Sequence, residues 1–155
     1  RQNFDVECEA AINLHINHEL HNGYVVDAMS NYFCRDDVAL RGMQKVFSKA
    51  AAQKRYHADI LMEFQTKRGG RNIYPRITKL VEVFLHLTSE YNLYTRSEAF
   101  THKETYTLCD FLDEHLINHN VSTTKALSDH VTNLKRVGPG LGEQLYDQKL
   151  QAQFS

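Results

Sequence analysis

The apolar residues of this chain recur at steps of three and four. Ile12, Ile16, Leu20 and Tyr24 are spaced by four, and Val25, Met29 and Phe33 continue the stripe. That period predicts a long amphipathic helix over residues 5–33. Cys34-Arg35-Asp36-Asp37 predicts a turn and an aspartate N-cap for a second helix. This helix carries Leu40, Met43, Phe47, Ala50, Ala58, Leu61 and Phe64 and stops at Arg68-Gly69-Gly70. Residues 71–78, with Ile73, Tyr74 and Pro75, read as an extended connector. Leu80, Phe84, Leu87, Tyr91 and Tyr94 predict a third helix. The polar residues 101–105 separate it from a fourth, which carries Leu108, Leu112, Leu116, Leu127, Val131 and Leu134. A short amphipathic fifth helix follows Gly138-Pro139-Gly140, over residues 141–150.

The helix breakers support this division. There are 7 Gly and 2 Pro in 155 residues. Gly69, Gly70, Gly138, Gly140 and Gly142 flank the two prolines, Pro75 and Pro139. A β-sandwich needs turn residues every 8–12 positions or so, and neither Gly nor Pro occurs between Arg76 and Val137. Helices of about 25–30 residues are about 40 Å long and suit a bundle. The first and second helices are joined by a short link, as are the third and fourth, so each pair is an antiparallel hairpin. The link over 69–79 spans at most roughly 36–40 Å, just the length of the bundle. The expected fold is all-α: one domain over 1–155, an up-down-down-up four-helix bundle with a long crossover between the second and third helices, and a short fifth helix.

Charge narrows the function. The net charge is −1 with a pI near 6.8. Neither the balance nor any basic run attracts nucleic acid or an acidic membrane surface. The apolar runs are too short for a transmembrane helix, and no secretory pattern stands out. Three scattered cysteines without a CxxC spacing predict reduced thiols and a cytoplasmic protein.

The chemistry sits where the apolar stripes are interrupted. On the second helix the stripe passes through Lys54 and His57, and on the first helix Glu19 lies at its edge. On the fourth, His115, His119 and Asn120 approach the inward face. Glu19, Lys54, His57 and Asn120 are therefore expected to form one polar cluster across three helices. Di-iron bundles hold metal with a Glu-x-x-His unit, whose spacing aims carboxylate and imidazole at one ion. The corresponding unit here is Lys54-Arg55-Tyr56-His57. An ammonium cannot ligate a cation, so the expected arrangement is a buried Glu19–Lys54 pair in place of metal. His15, His18 and Glu19 form one further group with metal-ligand spacing, and His115 and His119, at i and i+4, form another. Ordinary helical histidines are the competing account of both.

Five stretches carry a resemblance to animal heavy-chain-like ferritin. They are RQNFDVECEAAINLHINHEL (1–20), YFCRDDVAL (32–40), QTKRGGR (65–71), LCDFLDEHLINHNV (108–121) and LSDHVTNLKRVG (127–138). The resemblance implies a five-helix subunit of a 24-subunit cage, assembled with other ferritin subunits, that stores iron. It implies that Glu19 and His57 are remnant ferroxidase ligands. Lys54 stands where the family has a bridging glutamate, as in light-type subunits. Gln53 replaces a second acidic residue and Val26 the site's tyrosine. Thr88 aligns with a glutamate and Asn120 with a glutamine. The light-type nucleating glutamates match Lys49, Ala52, Gln53 and Tyr56, with no carboxylate among them. Asp110 and Asp113 match the acidic lining of the family's ion channels, although they also suit a helix-dipole pair. The chain is shorter than the family around Lys79–Leu80, in the link before the fourth helix and before the fifth helix.

The expected function follows from these departures. The chain reads as an iron-storage subunit without its own ferroxidase activity. The alternative is a structural or interaction protein of the same fold that has lost iron storage.

Overall fold

The computed structural model describes residues 4–74, 76 and 103–154. All regular elements among them are helical: α1 (Val6–Cys34), α2 (Arg41–Lys67), α3 (Lys103–Leu112), α4 (Asn118–Val137) and α5 (Leu141–Gln153). A π-helical turn, Asp113–Ile117, joins α3 to α4 and makes one long rod of the three. The expected third helix, with Thr88 and the short crossover at Lys79–Leu80, lies outside the described residues.

Local signals set the ends of α1. Asp5 is the N-cap, and its Oδ1 accepts the Glu7 backbone N–H at 2.7 Å. At the far end Arg35 forms a two-pronged pair with Asp37, at 2.9 and 2.6 Å. The expected aspartate cap of α2 is therefore not formed. Asp37 is taken by Arg35, and the N-cap position is Leu40, which offers no side-chain bond. The cap comes from α5 instead. Asp147, buried at 4% exposure, accepts the Met43 backbone N–H at 2.8 Å. Gly42 makes that approach possible, because a Cβ there would lie 2.2 Å from the Asp147 carbonyl oxygen. Tyr146 ties α5 to α4 as well, its hydroxyl 2.7 Å from His130 Nδ1.

Two apolar clusters define the directions of the helices. Ile12 and Ile16 of α1 pack with Ala58 and Leu61 of α2, and with Leu108, Leu112 and Leu116 of the rod. Leu40, Met43 and Val46 of α2 pack with Leu150 of α5, backed by Phe33, Leu127 and Leu134. The start of α1 thus meets the end of α2 and the start of the rod. α2 runs antiparallel to both, and α1 runs parallel to α4, as the up-down-down-up order requires. Each fully buried aliphatic side chain contributes about 1.5–3 kcal/mol. The stretch between the two clusters is where polar groups enter the interior.

Candidate functional site

Midway along the bundle, Glu19 is fully buried at 0% exposure, as is His57, and His15 is 3% exposed. Helical spacing sets this up. His15 and Glu19 lie one turn apart on α1, and Lys54 and His57 one turn apart on α2, so both pairs face the seam. Lys54 Nζ lies 3.4 Å from both Glu19 oxygens. His15 Nε2 is 3.7 Å from Oε1, and His57 Nδ1 is 3.5 Å from Oε2. The carboxylate is thus surrounded by an ammonium and two imidazoles.

A second ring of contacts orients His57. Gln53 Nε2 lies 3.0 Å from His57 Nε2. With the amide donating, His57 carries its proton on Nδ1, the nitrogen that faces Glu19. His119 stacks edge-on against His57, ring centroids 5.4 Å apart, and its Nε2 is 3.3 Å from Thr123 Oγ1. Burial is the main cause that pushes the His15 pKa down to about 4, against the pull of Glu19. Burial, then the charges of His57, Lys54 and Lys49, lower that of His119.

Of the expected cluster of Glu19, Lys54, His57 and Asn120, the first three are brought together, and His15 joins them. From α4 the ring against His57 is His119, and Asn120 is half-buried on the same turn. His115 belongs elsewhere. Its ring packs on Phe111 with centroids 4.8 Å apart, and its Nε2 is 3.9 Å from Glu114. The π-turn separates the two histidines' neighbourhoods, because an added residue rotates the helix face between 113 and 117. Val26 is half-buried on α1. Asp110 is exposed and Asp113 half-buried at the start of the π-turn, where its carbonyl accepts the Asn118 side-chain N–H at 2.9 Å. Thr88 is outside the described residues.

The Lys54 ammonium is the positive charge beside the Glu19 carboxylate, and a like charge brought to the same oxygens would be repelled by it. Among the described residues no group of three or more His, Cys, Asp or Glu could hold a metal ion.

A second polar group on the same seam was not anticipated from the sequence. Asn13 Oδ1 accepts the Ile73 backbone N–H at 2.8 Å and Gln65 Nε2 at 3.0 Å. Asn13 Nδ2 donates to the carbonyls of Glu9 and Arg71, both at 3.0 Å. Glu9 Oε1 accepts the Arg71 N–H at 2.7 Å. The available signal was a pair of polar residues, Asn13 and Gln65, on otherwise apolar stripes. Their backbone partners at Arg71 and Ile73 lie in an irregular segment whose path no periodicity encodes.

An all-helical antiparallel hairpin, a parallel returning rod and a polar centre at mid-height define a ferritin-like bundle. Residues 9–137 match the ferritin-like domain family. The chain is 40% identical to the soma ferritin of Lymnaea stagnalis over 162 aligned positions, covering 96% of this chain and 93% of that one. It is 42% identical to the ferritin heavy chain of Echinococcus granulosus over 163 positions, covering 96% and 94%. The chain belongs to the ferritin family. Both alignments are longer than the chain's 155 residues, so both relatives have residues with no counterpart here. No described helix is long and apolar enough to cross a membrane.

Proposed function

We propose that this chain is a ferritin subunit that contributes to an iron-storage cage without oxidising Fe(II) itself. Iron here is cargo and substrate. Family membership supports the storage role, and one observation carries the silence of the site: Lys54 Nζ at 3.4 Å from both Glu19 oxygens. A ferroxidase pair needs carboxylates that share two cations. Here Lys54 stands in place of the bridging carboxylate, its ammonium neutralises the remaining Glu19 carboxylate, and Gln53 supplies an amide beside it. Asp110 and Asp113 supply acidic lining for an ion path in the assembled shell. The protein works in the cytoplasm beside subunits whose own centres oxidise the iron.

The test is an Fe(II) oxidation assay on the purified protein, with its assembled size measured by light scattering. Oxidation no faster than the buffer blank, from a shell that still takes up ferric iron supplied by an active co-subunit, supports this reading. Heavy-chain-like oxidation rates overturn it. Lys54→Glu alone is expected to recover little activity, because Val26 and Thr88 remain. A small oligomer that takes up no iron favours the second reading, a structural or interaction protein. The absence of carboxylates at Lys49, Ala52, Gln53 and Tyr56 is what motivates that alternative.

A further inference from the structure

A cavity of about 240 Å³ opens between α2, α4 and the end of α5, next to the polar centre, with Gln53 and His119 on their common wall. Its walls are mainly apolar, built from Val46, Ala126, Leu127 and Phe154. The polar groups on its lining are mostly committed to internal partners. Gln53 is turned to His57 at 3.0 Å, Thr123 to His119 at 3.3 Å, and His130 to the Tyr146 hydroxyl at 2.7 Å. The lining includes one permanently charged side chain, Lys49, and no carboxylate. Lys49 Nζ stands 5.2 Å from the centre of the Phe154 ring, at the rim, and has no ion pair with a described residue.

We propose that this cavity binds a small aromatic carboxylate, with its head group on the Lys49 ammonium and its ring against Phe154 and the aliphatic walls. Three features select that class. The volume lies below the 300–1,000 Å³ or so typical of drug-sized ligands, so a single ring fits better than an extended molecule. Phe154, His119 and His130 put three rings on the lining, and aromatic ligands match rings by stacked or edge-on contact. The sign of the charge is set by Lys49, since nothing in the described lining compensates it. Glu19 and Lys54 do not line it, and the cavity shares only Gln53 and His119 with the polar centre.

The test uses the full-length protein in its native assembly, titrated with benzoate and, separately, with benzamide, its neutral isostere. Calorimetry and ligand-observed NMR report binding. Benzoate is expected to bind at least about tenfold more tightly than benzamide, with an affinity that falls as salt rises. Lys49→Gln removes that preference while leaving benzamide binding unchanged. Ala126→Phe fills the cavity and abolishes binding of both, which keeps the test decisive if the lysine variant is poorly stable. Equal affinity for the two ligands, no binding of benzoate, or a preference that survives Lys49→Gln overturns the proposal. Binding that persists in Ala126→Phe places the ligand elsewhere and does the same.

Discussion

Two polar groups interrupt the same α1–α2 seam, and they are built on opposite principles. Around Asn13 and Gln65 the side chains are neutral amides joined by one carboxylate, Glu9, and their bonds are 2.7–3.0 Å long. Around Glu19 the groups are ionisable, and their separations from the carboxylate are 3.4–3.7 Å. The first is a bracket. Its short bonds pin the backbone of Arg71 and Ile73, and so aim the chain into the crossover. The second keeps charges near one another with little directional bonding. Buried neutral groups are stabilised by saturated hydrogen bonds, whereas buried charges depend on their countercharge. Coupling in the charged centre should therefore be strong and pairwise, while in the bracket it should be spread over many bonds.

The largest expected effect separates them most cleanly. Lys54→Met leaves the fully buried Glu19 without its cation and should cost about 3 kcal/mol of unfolding free energy. Adding Glu19→Gln should recover most of that loss in chemical denaturation. If the double variant is as unstable as the sum of the singles, the pair is not the organising contact. Asn13→Ala orphans the Ile73 N–H and loosens Gln65, for about 2–3 kcal/mol. Hydrogen exchange should show the loss concentrated at residues 71–73, and uniform exchange across α1 would argue against a bracket.

Acid should act on the charged centre through His15. His15 is held neutral, with a pKa near 4 against 6.5 when unfolded. Between those values the unfolded chain binds the extra proton, so stability is full above pH 6.5 and declines as pH falls toward 4. The loss reaches about 3 kcal/mol at most. His15→Gln should flatten this dependence, and Asn13→Ala should leave its slope unchanged. The smallest effects concern the remote cap. Gly42→Ala should cost about 2 kcal/mol by pushing α5 away, and Asp147→Ala about 1 kcal/mol by removing the cap of α2. Thermal denaturation checks both, and an unchanged midpoint in Gly42→Ala would show that α5 is not docked as described.

Much of the fold was legible from periodicity. The stripe from Ile12 to Phe33 placed α1 within a residue of its observed ends. The Gly69-Gly70 stop marked the end of α2. The start of α2 was misread because Asp36 and Asp37 look like caps by composition, and a nearby arginine outcompeted the backbone for Asp37. The π-turn at Asp113–Ile117 left no mark in the apolar spacing. The membership of the polar centre was largely readable, because Lys54 and Glu19 violate their stripes. His119 was singled out as a member of a histidine pair, and its ring packs on His57, a contact that spacing alone did not give.

Apolar residues recurring every three or four positions carry the helices and their number, since burial of one face is a local, additive demand that each segment expresses alone. Distances between segments are a different matter. The 3.4 Å approach of Lys54 to Glu19, the capping of α2 by Asp147 across 104 positions of sequence and the bracket from Asn13 to Ile73 each depend on how packed helices settle against one another. Those contacts arise from side-chain volumes and directional bonds summed over the whole interior, so they become visible only once the chain is folded.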